Sequence, residues 1–332
     1  MRILITGAAG FLGSNLSHRL LDSGHEVLGV DNFTTGCRVN VAALEKKPSF
    51  HFEERDVIDG VPVEGALDWV MHFACPASPP KYLARPIETM RVMSEGTHHL
   101  LELCRAKRAK FFLASTSEVY GDPHVHPQPE TFWGTVNPVG PRAVYDEAKR
   151  FAEAMTTAYN THHQVDVRII RIFNTFGPRM DPDDGRVVTN FIHQAMRGEA
   201  LTIYGDGRQT RSFQYVDDLL DGIEKMMAAS YTKPVNLGNP SEHTMLELAE
   251  MVQELVGSTL PLRREPLPQD DPKQRRPDIT LARTLLGWEP TIAVREGVRR
   301  TIEWFRGTGD SSPERRGQTP PEPRTRRNEE PR

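Results

Sequence analysis

Ile3-Leu4-Ile5-Thr6-Gly7-Ala8-Ala9-Gly10-Phe11-Leu12-Gly13 stands at the head of the chain. A short apolar run of β-branched character meets glycines at three-residue steps, and a helical pattern follows. In that context Gly7 allows a tight turn, Gly10 lets backbone approach a pyrophosphate, and Gly13 permits close packing of helix on strand. The helix N-terminus then faces the phosphates. On the glycines alone, an ordinary strand-to-helix turn explains the stretch equally well. Asp31 changes the balance. It ends the next apolar run, Glu26 to Val30, near the offset of about 20 residues at which a carboxylate binds an adenine-ribose diol. A carboxylate there repels a 2′-phosphate, so NAD is favoured over NADP, with Arg38 close by in sequence as the one opposing feature. Asp56-Val57, at the end of a third apolar run, suit the adenine edge and a helix N-cap about equally.

The rhythm continues along the chain. Trp69 to Phe73, Phe111 to Ala114 and Val165 to Ile172 read as further strands between helical patterns, which implies a parallel sheet with helices on both faces. In the helix around Tyr145, Val144, Ala148, Phe151, Met155 and Ala158 recur at three- and four-residue steps and predict one apolar stripe. The expected fold is a Rossmann-type, doubly wound α/β sheet with a smaller C-terminal substrate-binding lobe. The expected boundaries are 1–173 for the nucleotide-binding domain and 174–306 for most of the second lobe, with about 212–238 rejoining the first sheet. Residues 307–332 are rich in proline and charge and hold no aromatic or large aliphatic side chain, so a disordered tail is expected there.

Composition narrows the function. With 41 Lys and Arg against 45 Asp and Glu the net charge is −4, which excludes general nucleic-acid binding; an anionic ligand must be met by local cations. The chain has no apolar run of about 18 residues, and its opening leaves no room for the charged and apolar regions of a signal peptide. A soluble, cytosolic protein is expected. Cys37, Cys75 and Cys104 form no paired spacing and fit a reducing compartment. The histidines at 98–99, 162–163, 124 and 126 lack neighbouring ligands at metal spacing, so no metal is expected.

Tyr145 and Lys149 lie four apart on a helix, hence on one face. The pair alone is common on helices. Its weight comes from Ser115-Thr116-Ser117-Glu118-Val119-Tyr120-Gly121 at the end of another strand, the edge where parallel sheets bind ligands. Gly7-x-x-Gly10-x-x-Gly13, Asp31, the Thr116 segment and Tyr145-x-x-x-Lys149 together resemble the extended short-chain dehydrogenase/reductases that act on nucleotide sugars. Within that superfamily, Ala74 to Pro80, Thr116 to Gly121, Asn174 to Arg179, Asp184 to Val188 and Gln269 to Pro272 resemble the UDP-glucuronate decarboxylases. The similarity runs from Arg2 to about Phe305.

The resemblance implies an NAD-dependent decarboxylation of UDP-glucuronate to UDP-xylose through a UDP-4-keto sugar, with the cofactor recycled. It implies cofactor contacts from Gly7, Gly10, Phe11, Leu12 and Gly13, from Asp31, Asn32, Phe33, Thr35 and Gly36, and from Asp56, Val57, Tyr145 and Lys149. Tyr145 is expected to take the proton of the sugar 4-hydroxyl while C4 loses hydride, with Thr116 on the same oxygen and Lys149 holding the nicotinamide ribose and favouring the phenolate. A ketone at C4 makes the substrate a β-keto acid, whose carboxylate leaves as CO₂. Related 4,6-dehydratases carry Asp-Glu after the threonine; Ser117-Glu118 disfavours dehydration and leaves Glu118 either to assist at C5 or to serve as a structural carboxylate. Arg211 and Arg275 are expected on the diphosphate, Asn174 near the sugar phosphate and Arg186 among the substrate contacts. Tyr204 and Gln214 are expected at the uridine end and Tyr82 over the sugar. Arg91, where the family has lysine, is expected on the carboxylate side. A homodimer through the helix near Ile87 to Arg105 and the Tyr145 helix is implied as well. The rivals are a UDP-sugar 4-epimerase, a decarboxylase that releases the 4-keto pentose, and a nucleotide-binding scaffold without turnover.

Overall fold

The computed structural model describes residues 1–267 and 274–308. The motif Gln269 to Pro272 and most of the expected tail lie outside the described residues.

Six strands, β1 (Arg2–Thr6), β2 (Glu26–Asp31), β3 (Phe50–Glu54), β4 (Trp69–His72), β5 (Lys110–Thr116) and β6 (Val167–Ile172), join the strand Pro234–Leu237 in one seven-stranded sheet. From one edge to the other the order is Pro234–Leu237, β6, β5, β4, β1, β2, β3, and every pairing is parallel. The strands are nearly continuous apolar runs because helices cover both faces. Alternate side chains divide between two cores: Ile3, Ile5, Trp69, Met71 and Phe112 enter one, and Leu4, Val70, Phe111 and Leu113 the other. The strand order reverses between β1 and β4, which opens a crevice at the carboxyl ends of these strands.

After β6 the chain leaves the sheet. Helix Val187–Met196, the parallel pair Leu201–Tyr204 and Leu262–Glu265, and the antiparallel pair Thr210–Ser212 and Glu242–Thr244 build the second lobe. Helix Met245–Val256 starts on a capping box between Thr244 and Glu247. The first core runs on into this lobe through Phe176, Phe191, Ile203, Leu248 and Phe305. Helix Val294–Thr308 closes the described chain.

One expectation needs correcting. In the helix Ala143–His163 the buried face is Tyr145, Asp146, Ala148, Lys149, Ala152 and Thr156, whereas Phe151 is 49% exposed. The inward face is rotated from the apolar stripe because the tertiary fold buries Tyr145 and Lys149 on the side of the crevice. Among the described residues no helix is long and apolar enough to cross a membrane, and no group of three or more metal-binding side chains converges.

Candidate active site

At the head of the crevice, Gly7 takes a positive φ of 75° and donates its N–H to Val30 O at 2.8 Å. A Cβ on Gly7 would lie 2.8 Å from the Ala74 backbone nitrogen, and one on Gly13 only 2.1 Å from Gly7 O. The turn therefore packs at backbone contact against the chain leaving β4, at Phe73 and Ala74, and against its own helix, α1 (Phe11–Asp22), whose amino end is left bare for an anion.

Beside the turn, Asp31 accepts from Ala9 N at 3.0 Å and from Phe33 N at 2.8 Å; Phe33 itself sits at a left-handed φ of 56°. Burial pushes the Asp31 carboxyl up to about 6, against the pull of these amides. Its pocket also holds Gly7, Gly10, Asn32, Thr35, Asp56 and Val57. Asp56 caps the short helix Val57–Asp59 through Ile58 N and accepts from Asn32 Nδ2 at 2.9 Å, so its capping role and its place in the pocket coexist. Arg38 lies over the Phe33 ring and pairs with Glu54, and Arg55 pairs with Glu53. Two bare glycines, a carboxylate in the same pocket and neighbouring arginines already paired to glutamates fit NAD better than its 2′-phosphorylated form.

Deeper in the crevice, Thr116 at the end of β5 shares a pocket with Tyr145, Lys149, Glu118 and Phe11. Burial, Cys75 and Glu118 raise the pKa of the Tyr145 phenol well above the usual value, while Thr116, in the same pocket, and Arg186 oppose this. Lys149 Nζ donates to Ala114 O at 2.8 Å and lies 5.8 Å from the Tyr145 ring centre, and burial lowers its pKa. Left to these residues the phenol keeps its proton at neutral pH.

Toward the second lobe the site widens into a cavity of about 290 Å³. Asn174, Arg186, Tyr204, Arg211 and Arg275 line it together with Glu118 and Arg142. Glu118 accepts from Arg142 Nη2 at 2.6 Å and faces Arg275 Nη1 at 3.4 Å, and Arg186 is paired with Asp184. Burial works against ionisation of Glu118, but the two guanidiniums hold its carboxyl well below the usual range.

The chain matches the family described as GDP-mannose 4,6 dehydratase over residues 4–301. It is 53% identical over 304 residues to UDP-glucuronic acid decarboxylase 1 of Danio rerio, covering 92% of this chain and 72% of that one. The chain belongs to the UDP-glucuronic acid decarboxylase family. Among solved structures, UDP-glucuronic acid 4-epimerase from Bacillus cereus, in complex with UDP-glucuronic acid and NAD, superposes with a TM-score of 0.83 at 28% identity, covering 93% of this chain and all of that one. UDP-glucose 4-epimerase from Thermotoga maritima, solved with UDP-glucose, gives 0.84 at 29% identity, covering 93% and 99%.

Within this family fold, three of the expected substrate residues stand apart from the cavity wall. Arg91 is on the surface, its guanidinium engaged with Glu95 at 2.7–2.8 Å. Gln214 is buried behind the cavity and reaches Thr175 Oγ1 at 3.4 Å. Tyr82 is buried with its ring stacked on Tyr145. Phe33 and Gly36 support Asp31 rather than line its pocket: a Cβ on Gly36 would lie 2.8 Å from Asp31 Oδ1. Arg142 and Asp146 went unrecognised from sequence. The available signal was the three-residue step from Arg142 to Tyr145 and an acidic residue beside the tyrosine; only the fold shows that both meet Glu118.

Proposed function

We propose that the protein converts UDP-glucuronate to UDP-xylose and CO₂ through a UDP-4-keto sugar, with NAD held as a recycled cofactor. The observation that carries this reading is the junction of two half-sites: Thr116, Tyr145 and Lys149 share a pocket that opens onto an arginine-lined cavity. Curated relatives near half identity are decarboxylases, whereas the epimerase structures are below a third, so decarboxylation is favoured over epimerisation.

The glycine turn and α1 would hold the NAD diphosphate, Asp31 the adenine-ribose diol and Lys149 the nicotinamide ribose. When bound, NAD supplies a cationic hydride acceptor at sugar C4 and gives the hydride back at the end. Tyr145 takes the proton of the 4-hydroxyl and later returns it, while Thr116 hydrogen-bonds the same oxygen. A C4 ketone lets the C5 carboxylate leave as CO₂, since the carbonyl oxygen receives the electron pair as an enolate, and proton donors on that oxygen stabilise it. Protonation at C5 completes the pentose, with Glu118 close by. Arg186, Arg211 and Arg275 meet the diphosphate and carboxylate charge, with Asn174 near the sugar phosphate and Tyr204 toward the uridine. Ser117 is too weak an acid to expel hydroxide, which disfavours dehydration.

The reading includes a homodimer. Ile87, Met90 and Phe151 are exposed on the two helices expected to meet, and a light-scattering mass of one chain would refute it. It also includes a cytosolic setting, in keeping with three free cysteines. The deciding experiment incubates the protein with UDP-glucuronate and substoichiometric NAD. CO₂ and a UDP-pentose are expected; UDP-galacturonate alone would mean epimerisation, and stoichiometric NADH would mean release of the 4-keto pentose.

A further inference from the structure

Asp146 has no part in the reaction just described, yet it is one of the most enclosed carboxyls beside the site. It is 6% exposed, it directly follows Tyr145 on the helix Ala143–His163, and its Oδ1 is buried without a hydrogen-bond partner among the described residues. One turn before it Arg142 holds Glu118 at 2.6 Å, and the Asp146 and Glu118 carboxyls are close enough to act strongly on each other. Two ionised carboxylates offer only acceptors to each other, so such closeness favours one shared proton.

We infer that Asp146 is a positioning residue for the proposed decarboxylation: its protonated carboxyl donates to Glu118 and holds that carboxylate between Arg142 and Arg275 at the wall of the substrate cavity. The inference rests on the reaction proposed above. Arg142 and Arg275 favour ionisation of both carboxyls and Arg186 also faces Glu118, but it is Glu118 that the first two contact. Arg142, just ahead of the helix, and Arg275, from the second lobe, both address Glu118, at 2.6 and 3.4 Å. Tyr82, from the helix Pro79–Ala84, adds a neutral phenol, and Tyr145 adds another on the same helix. Glu118 is thus the better-compensated anion and Asp146 the one left to keep a proton. The amino end of the helix favours an ionised Asp146, but burial and then the Glu118 charge outweigh it and raise its pKa.

The arrangement has a functional consequence. With Asp146 neutral, two guanidiniums face one carboxylate and the wall keeps a net positive charge toward a substrate carrying diphosphate and carboxylate. Ionisation of Asp146 would cancel that charge and turn its donor into a repelling acceptor. Activity should therefore fall as pH rises above neutrality.

The test compares wild type, Asp146→Asn and Asp146→Ala. CO₂ release from UDP-glucuronate is followed as kcat and kcat/KM from about pH 6 to about pH 10, with NAD affinity measured in parallel. Asn keeps an N–H for Glu118 and cannot ionise. Asp146→Asn should retain at least about a third of kcat at neutral pH, and its alkaline limb should move up by more than about one pH unit. Asp146→Ala should lose about tenfold or more in kcat/KM while binding NAD as wild type does. An unchanged alkaline limb in Asp146→Asn would overturn the inference. Infrared difference spectra need no turnover: a protonated-carboxyl band present in wild type at neutral pH and absent from Asp146→Asn supports the pair, and lack of that band in wild type refutes it. If no protein releases CO₂, the proposed reaction fails, and the infrared result still decides the pair.

Discussion

Tyr82 and Tyr145 lie ring on ring, their centroids 5.1 Å apart and their planes within 4° of parallel. Such a contact fixes the plane of the Tyr145 phenol without using its hydroxyl, which stays free to meet Thr116. The Tyr82 hydroxyl is buried and has no hydrogen-bond partner among the described residues. Burial and the Glu118 charge push its pKa upward, so it remains a donor throughout the working pH range.

Tyr82→Phe keeps the ring and deletes this unsatisfied hydroxyl. Thermal unfolding should show stability unchanged or raised by about 1 kcal/mol. If the sugar reaches this hydroxyl, as the family resemblance implies, steady-state kinetics should show kcat/KM lower by about tenfold. Unchanged kinetics would restrict Tyr82 to packing.

Tyr145→Phe retains the stack and the shape of the pocket. NAD affinity, read by fluorescence titration, should change by less than about threefold, whereas kcat should drop by about 10²–10⁴ with the loss of the proton carrier. Wild-type turnover in this variant would remove Tyr145 from the mechanism.

Gly13→Ala sets a methyl group 2.1 Å from Gly7 O, a backbone atom that cannot swing aside. A loss of about 3 kcal/mol in urea unfolding is expected, together with loss of NAD binding. Gly24→Ala is the control. It meets no atom within 4 Å but has a φ of +79°, so it should cost only about 1 kcal/mol and leave NAD binding intact.

Asp31 makes the ligand-free protein pH-sensitive. Its folded-state value, about 6, lies above the ordinary 3.8 because of burial. Its contribution to stability is therefore complete below the ordinary value and is lost as pH rises through about 6, a change of at most about 3 kcal/mol. Denaturant titrations should show wild type losing stability relative to Asp31→Asn over this window. The variant should bind NAD about 10–100-fold more weakly, having lost its charged diol acceptor. Parallel stability curves for the two proteins would rule out the buried charge as the cause.

The amino-acid order alone determined the elements that depend on local chemistry. The strands Glu26–Asp31 and Lys110–Thr116 follow from short apolar runs, and the glycine turn from the space that Gly7 and Gly13 leave for backbone. Asp31 was legible too, because a parallel β-α-β unit sets the interval between a strand end and the next carboxylate. Tertiary structure decided which side chains meet across long stretches of chain. Arg275 reaches Glu118 over 157 residues, Lys149 is buried against Ala114 O, and Arg91 is turned outward to Glu95. No local period encodes such meetings: the phase of the Tyr145 helix and the closeness of the Asp146 and Glu118 carboxyls arise only when the sheet, the helix and the second lobe close around one crevice, where burial rather than sequence spacing sets the charge each group carries.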